Sequence, residues 1–325
     1  MALMTKTIRV KAAGGPEMME LVDVELGAPG PGEIQLEQRA IGLNFIDVYF
    51  RMGRYPQQFP AASGTEGAGI VTAVGAGVSH LKKGDRVAYA GGPQGSYSAM
   101  RNMPANIVVK IPKAVSFETA AAMMLKGMTV EYLLNRTYKV QKGQTILFHA
   151  AAGGVGLIAM QWAKALGVNV IGTVGSEEKG KLAKAHGAKH IVYYNTENVA
   201  QRVKEITKGA MVPVVYDSVG KSTFQGSIDS LQNYGLMVSF GNASGSVPPF
   251  ELTALKGTLY ITRPSLMPHI ANRKNLEEMS ARLFKMVTSG KIKIKIEQRY
   301  ALSDVVQAHR DLEDRKTTGS TILIP

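Results

Sequence analysis

HAAAGGVGLIAMQWAKALGVNVIGTVGSEEK, residues 149–179, decides the fold. It follows the apolar run TILF and crowds alanines and glycines ahead of an amphipathic stretch. Val155, Ile158, Ala159, Trp162, Ala163 and Leu166 recur at spacings of three and four, which marks one face of a helix. Strand, glycine turn and helix in that order are the context of a dinucleotide fingerprint. Gly153 lets a pyrophosphate approach the backbone, and Gly156 lets the helix pack closely on the strand. The N–H groups of Gly154 and Val155 lie at the positive helix terminus, where phosphates bind. Ala151 stands where the first glycine of G-x-G-x-x-G belongs, which alters the tight turn and leaves the anion site.

About twenty residues beyond the turn, an NAD enzyme carries Asp or Glu to bind the ribose 2′-hydroxyl. Here the strand NVIGTV ends in Gly175-Ser176, with Lys179 one turn further on. A carboxylate would repel a 2′-phosphate, whereas Ser and Lys bind one. Glu177 and Glu178 fall in the first turn of the next helix, where acids complement its dipole. The expected cofactor is NADP(H). Two other patterns in this loop fail. GSEEKGKL places Leu182 where a Walker loop needs Ser or Thr, and Ser176-x-x-Lys179 lacks the companion motifs of a β-lactamase.

Outward from this loop, strands and helices alternate from about Ser116. Strands are read at TILFHA, NVIGTV, HIVYY, VPVVYDSV, GLMVSFG and TLYITR, with helices at 154–166, near 177–186, near 197–207 and near 222–231. Such alternation predicts a doubly wound parallel sheet. The first ~120 residues instead read as short strands between Gly- and Pro-rich turns, a small barrel-like β domain, with a helix starting near Phe45. The last ~55 residues, after an amphipathic helix around 275–288, return to that β texture. The predicted fold is therefore α/β: a β-rich domain from 1–124 and 266–325, and a doubly wound domain over 125–265.

A chain of 325 residues suits two domains. The opening MALMTKTIRVKAAGG has no long apolar run, and no stretch reaches the length of a membrane span. We therefore expect a cytoplasmic protein. With no cysteine, disulfides and thiolate zinc sites are excluded. His186 and His190 have metal-ligand spacing, but Gly187 sets a helix end between them. The net charge of +13 is spread along the chain without a basic block. No RNA-recognition motif or aromatic-and-basic platform is visible, which ranks an RNA-binding or structural role below an enzymatic one. KIKIKIEQRY, 291–300, alternates Lys and Ile and is read as a half-buried strand with a lysine face.

Several ordered segments together resemble the quinone oxidoreductase/zeta-crystallin branch of the medium-chain dehydrogenase/reductases. They are IGLNFIDVYFRMGRYP, GTEGAGIV, KGDRVAYAGGPQGSYS, KGMTV, the run from Gly143 through Gly156, YDSVG, LMVSFGNASG and TRPSL. The resemblance covers essentially the whole chain. It implies a GroES-like catalytic domain, a Rossmann domain and a homodimer. In the zinc alcohol dehydrogenases of that superfamily, catalytic zinc is held at the positions matching Asn44, Thr65 and Lys126, and none of these is a thiolate or imidazole. No metal is expected. Without a Lewis acid, an already electrophilic acceptor suits the site, a quinone or an activated enone or enal, and the choice between hydride and single-electron transfer stays open.

The resemblance also implies individual roles. Asn44 lies near the nicotinamide, as ribose ligand or to polarise the acceptor oxygen; its alternative is a helix N-cap. Tyr49 and Tyr55 line the acceptor pocket or donate a proton, or simply pack. Thr129 contacts the nicotinamide side, or bonds its own helix backbone. Tyr194, Ser176 and Lys179 surround the 2′-phosphate. Ser218, Phe240 and Gly241 lie at carboxyl ends of parallel strands, where ligands bind. Arg263 and Arg315 resemble cofactor contacts, or are ordinary surface arginines. His149 and Trp162 read as structural, and Asp47 as more structural than functional.

Overall fold

The computed structural model describes residues 3–325. The chain divides into two compact units. One comprises residues up to Met128, Leu266–Thr288 and Ile294–Pro325; the other comprises Thr129–Ser265 and Ser289–Lys293.

The first unit opens with β1 (Leu3–Val10), β2 (Met19–Leu26), β3 (Glu33–Leu43), α1 (Phe45–Arg51) and β4 (Ala61–Ala62). Next come β5 (Glu66–Val74), β6 (Arg86–Ala90), β7 (Met100–Pro104), β8 (Val109–Lys110), α2 (Phe117–Ala121) and α3 (Met124–Tyr132). The boundary between units falls inside α3. The helical stretch from Phe117 to Thr137 is interrupted at Ala122–Met123 and ends in a π-turn over Leu133–Thr137.

The second unit continues with β9 (Thr145–Phe148), α4 (Gly154–Ala165), β10 (Asn169–Val174), α5 (Glu177–Ala185) and β11 (His190–Tyr193). It then adds α6 (Val199–Ile206), β12 (Val212–Asp217), α7 (Phe224–Asp229), β13 (Leu231–Ser239) and β14 (Tyr260–Thr262). The first unit resumes with α8 (Leu266–Ile270) and α9 (Arg273–Thr288), and ends with β15 (Ile296–Ala301), α10 (Val305–Glu313) and β16 (Ser320–Ile324).

The six strands of the second unit pair only in parallel, in the order β11-β10-β9-β12-β13-β14. The chain moves outward from β9 to β10 and β11, then crosses back to β12. That reversal opens a crevice beyond the carboxyl ends of β9 and β12, where doubly wound sheets bind ligands. The β-branched runs that the sequence shows are buried, as strands covered on both faces require. Leu147, Ile171, Val192 and Val215 pack with Val203 of α6 and Phe224 of α7 on one side.

In the first unit β15, β16, β3, β5, β6 and β8 follow one another in a sheet, with β7 also on β3, and β1 joins β2 and β4. β16 enters between β15 and β3, so the chain's last strand completes the sheet begun by its third. Leu43, Tyr97, Leu302, Val305 and Leu323 share a core there. One expectation needs correction. KIKIKIEQRY forms strand only from Ile296, and residues 291–295 are irregular. Gln161 explains part of this: its amide accepts from Lys293 N–H at 2.8 Å and donates to Lys293 C=O at 3.1 Å. The backbone there is held by a helix side chain rather than by a neighbouring strand.

Candidate active site and cofactor turn

The turn after β9 is tight because its residues pack on one another. Ala150 has φ +54°, the left-handed conformation, and Ala151 is fully buried. The bend that a first glycine would make is thus taken one residue earlier, by alanine. Gly156 has no room for a side chain: a Cβ would lie 2.3 Å from Ala150 O and 2.6 Å from Ala151 O. Gly153 caps α4 without any side-chain hydrogen bond, so Gly154, Val155 and Gly156 begin the helix under bare backbone. Those N–H groups and the helix dipole make an anion cradle.

At the end of β10 stand Gly175 and Ser176. The Ser176 hydroxyl accepts from Lys179 N–H at 3.3 Å and so caps α5, while Lys179 is half-buried one turn in. A Cβ on Gly175 would lie 2.6 Å from the Tyr194 hydroxyl, so the ring of Tyr194, just past β11, lies against the glycine. No carboxylate ends β10; Glu177 and Glu178 are exposed in the first turn of α5. Ser218 follows β12, and Phe240 and Gly241 follow β13, with Phe240 N–H donating to Asp217 O at 2.8 Å. Arg263, past β14, donates to Ser239 O at 3.1 Å. Thr129 hydrogen-bonds Tyr132, whose phenol is raised well above its ordinary value by burial despite the Arg263 charge nearby. These candidates therefore share the carboxyl edge of one parallel sheet and the helix preceding it.

His149 is structural. Its Nδ1 meets Thr173 Oγ1 and its Nε2 meets Ser227 Oγ, both at 3.0 Å, and the serine donates to Asp217 at 2.7 Å. The three types match a hydrolase triad, but all are buried and the serine lies between the other two. Burial lowers the imidazole's affinity for a proton, against the pull of Asp217.

Asn44, Tyr49, Tyr55 and Arg315 belong to the first unit. Asn44 precedes α1. Its backbone N–H donates to Asp47 Oδ2 at 2.9 Å, while its side-chain Nδ2 donates to Glu66 Oε2 at 2.7 Å. The positions matching zinc ligands thus converge on two buried carboxylates. Thr65 donates to Asp47 Oδ1 at 2.9 Å, and the Lys126 ammonium lies 3.7 Å from Glu66 and donates to Leu43 O at 3.2 Å. Burial raises Glu66, with Lys126 and then Asn44 acting against it. Such a donor set, one amide, one hydroxyl and one ammonium, is unsuited to zinc. Among the described residues no three His, Cys, Asp or Glu side chains form a metal-holding group.

Tyr49 is buried edge-on against Phe45 and Tyr55, at 5.5 and 5.8 Å between ring centres. Tyr55 is half-buried, and Arg54 lies over the Tyr49 ring. Arg315 is exposed just beyond α10, with φ +60°. The residues that sequence reasoning missed are Glu66, Tyr97, Arg51 and His309. Glu66 in GTEGAGIV, Arg51 in IGLNFIDVYFRMGRYP and Tyr97 in KGDRVAYAGGPQGSYS lay within the motifs; His309 carries no local signal.

A GroES-like unit joined to a dinucleotide-binding unit defines a medium-chain dehydrogenase/reductase. The alcohol dehydrogenase GroES-like domain family matches residues 30–113, and the zinc-binding dehydrogenase family matches 154–285. A quinone oxidoreductase of Pseudomonas aeruginosa is 52% identical over 99% of this chain and 100% of its own. The crystal structure of Escherichia coli quinone oxidoreductase complexed with NADPH superimposes with a TM-score of 0.97 at 50% identity, covering 98% of this chain and 100% of that one. A 2-haloacrylate reductase of Burkholderia sp. is 41% identical over 96% of each chain. The chain belongs to the quinone oxidoreductase family.

Proposed function

We propose that this protein is an NADPH-dependent reductase of quinones. The observation that carries the cofactor is the end of β10, where Ser176 and Lys179 stand in place of the acid that would repel a 2′-phosphate. The family relative bound to NADPH supports the same reading. NADPH would supply reducing equivalents as hydride.

The chain's own residues bind and orient. Gly153, Gly154, Val155 and Gly156 receive the pyrophosphate; Gly175, Ser176, Lys179 and Tyr194 receive the adenosine end. Ser218, Phe240, Gly241, Arg263 and Thr129 flank the nicotinamide half, with Arg315 as a further contact. Asn44, with one N–H committed to Glu66, offers the rest of its amide to a ribose hydroxyl or to the acceptor oxygen. Tyr49 and Tyr55 present an aromatic wall to a flat substrate. Charge developing on the acceptor is met by hydrogen bonds rather than by a metal.

A second reading, reduction of activated enones or enals, is supported by the similarity to a 2-haloacrylate reductase. We also propose a cytoplasmic homodimer. No helix among the described residues is long and apolar enough to cross a membrane. The dimer is supported by β14, an edge strand whose Tyr260 is exposed.

The test is anaerobic oxidation of NADPH against benzoquinones, naphthoquinones and enones, with NADH in parallel. Turnover of quinones with NADPH preferred supports the reading. Turnover of enones alone shifts it to the second reading, and a preference for NADH overturns the cofactor assignment.

A further inference from the structure

Five buried polar side chains run in single file through the unit that carries Asn44. Arg51 NH1 lies 2.9 Å from His309 Nδ1, and His309 Nε2 lies 3.0 Å from the Tyr97 hydroxyl. Tyr97 donates to Asp47 Oδ2 at 3.0 Å, and Thr65 donates to Asp47 Oδ1 at 2.9 Å. The tyrosine ring is seated closely: a Cβ on Gly64, which has φ +91°, would lie 2.3 Å from it.

The order of donors can be derived. Arginine has donors only, so His309 Nδ1 accepts and the imidazole proton sits on Nε2. That proton goes to the Tyr97 oxygen, whose own hydrogen goes to Asp47. Every hydrogen in the file points at the carboxylate. A neutral imidazole suits these surroundings, since burial and then the Arg51 charge push His309 down to about 3. The file begins at a guanidinium, which keeps its proton at any working pH. It therefore holds a charge in place and does not pass protons along.

We propose that His309, Tyr97 and Arg51 are positioning residues for the reductase site, whose one-way chain of donors locks the Asp47 carboxylate and, through it, the start of α1 at Asn44 and the hydroxyl of Thr65. The proposal rests on the reading that Asn44 serves the cofactor and acceptor. It assigns a functional role to α10, a helix 258 positions from Arg51 in sequence.

The charges around Asp47 set what the array must do. Glu66 of β5 opposes a second negative charge, and Lys126 of α3 offsets Glu66. Arg51 of α1 faces His309 of α10, and Glu313 at the end of α10 pairs with Arg51 at 2.7 Å. Removing the Tyr97 donor leaves only Thr65 and the Asn44 backbone against burial and Glu66, so Asp47 takes up a proton at higher pH and loosens its hold on Asn44.

The test uses the NADPH-bound protein labelled with 13Cγ-aspartate, with Asp47→Asn assigning the resonance. His309→Phe and Tyr97→Phe should raise the Asp47 midpoint by about one pH unit or more. The acid limb of kcat for quinone reduction should move with it. His309→Gln, whose amide can accept from Arg51 and donate to Tyr97, should restore both. An unmoved midpoint, or a kcat lowered equally at every pH, overturns the proposal. Should His309→Phe fail to fold, Tyr97→Phe makes the same comparison by deleting one hydroxyl. A wild type that reduces neither quinones nor enones sinks the functional reading, and the carboxyl midpoint then still decides the array.

Discussion

Asp47 ionises against its own burial. Desolvation pushes its carboxyl from 3.8 up to about 6, although Thr65, the Asn44 backbone and Tyr97 all donate to it, and Glu66 adds repulsion. Because the folded value lies above the unfolded one, its contribution to stability is complete below about pH 3.8 and fades as pH rises through about 6. Asp47→Asn has no such dependence. In calorimetric melts, the wild type should gain on the variant by about 3 kcal/mol from neutral to acid pH; parallel curves would contradict this. Lys179→Ala should weaken NADPH binding by roughly ten- to a hundredfold and leave NADH nearly unchanged, as fluorescence titration would show. Equal losses for both would mean Lys179 does not meet the 2′-phosphate. The two residues also differ in how readable they were. Ser176 and Lys179 lie within one turn of each other, so spacing and charge single them out as candidates. Asp47 depends on Tyr97, 50 positions away, and Tyr97 on His309, a further 212 away; no periodicity records such partners.

Helices and strands were legible wherever local pattern and packing agree. The strand, turn and helix from Thr145 to Ala165 follow the order that the apolar spacing requires. Gly156 is the point on which that unit turns, since two backbone carbonyls occupy the space a side chain would need. Gly156→Ala should cost about 3 kcal/mol or more by overpacking and abolish cofactor binding, measured by thermal shift with and without NADPH. A variant with unchanged melting and binding would contradict the packing argument. Ala150 is the converse case, an alanine held at φ +54°. Ala150→Gly should raise stability by up to about 1 kcal/mol by relieving that conformation, read as a higher melting temperature; an unchanged or lower one would contradict this. The Lys–Ile alternation at 291–295 misled because period two signals a strand only when another strand is there to pair. In this segment the partner is the Gln161 amide instead.

At the scale of the molecule, the α/β class was readable because a run of alternating strands and helices admits few other architectures. The edge of the parallel sheet is where assembly should occur. Tyr260 of β14 is 55% exposed on a strand that pairs with β13 on one side only. Tyr260→Lys should convert a dimer into a monomer in light scattering at micromolar concentration; an unchanged mass would remove β14 from the interface. The interleaving of the two units has a further consequence for how the protein is made. Thr321 of β16 pairs with Leu43 of β3, so the sheet of the first unit waits until Thr321 has been translated. The second unit needs only Thr129–Ser265 and a five-residue segment, Ser289–Lys293. On the ribosome the middle of the message therefore completes its fold before the beginning does, and the nascent GroES-like strands are the part in need of shielding until β16 emerges.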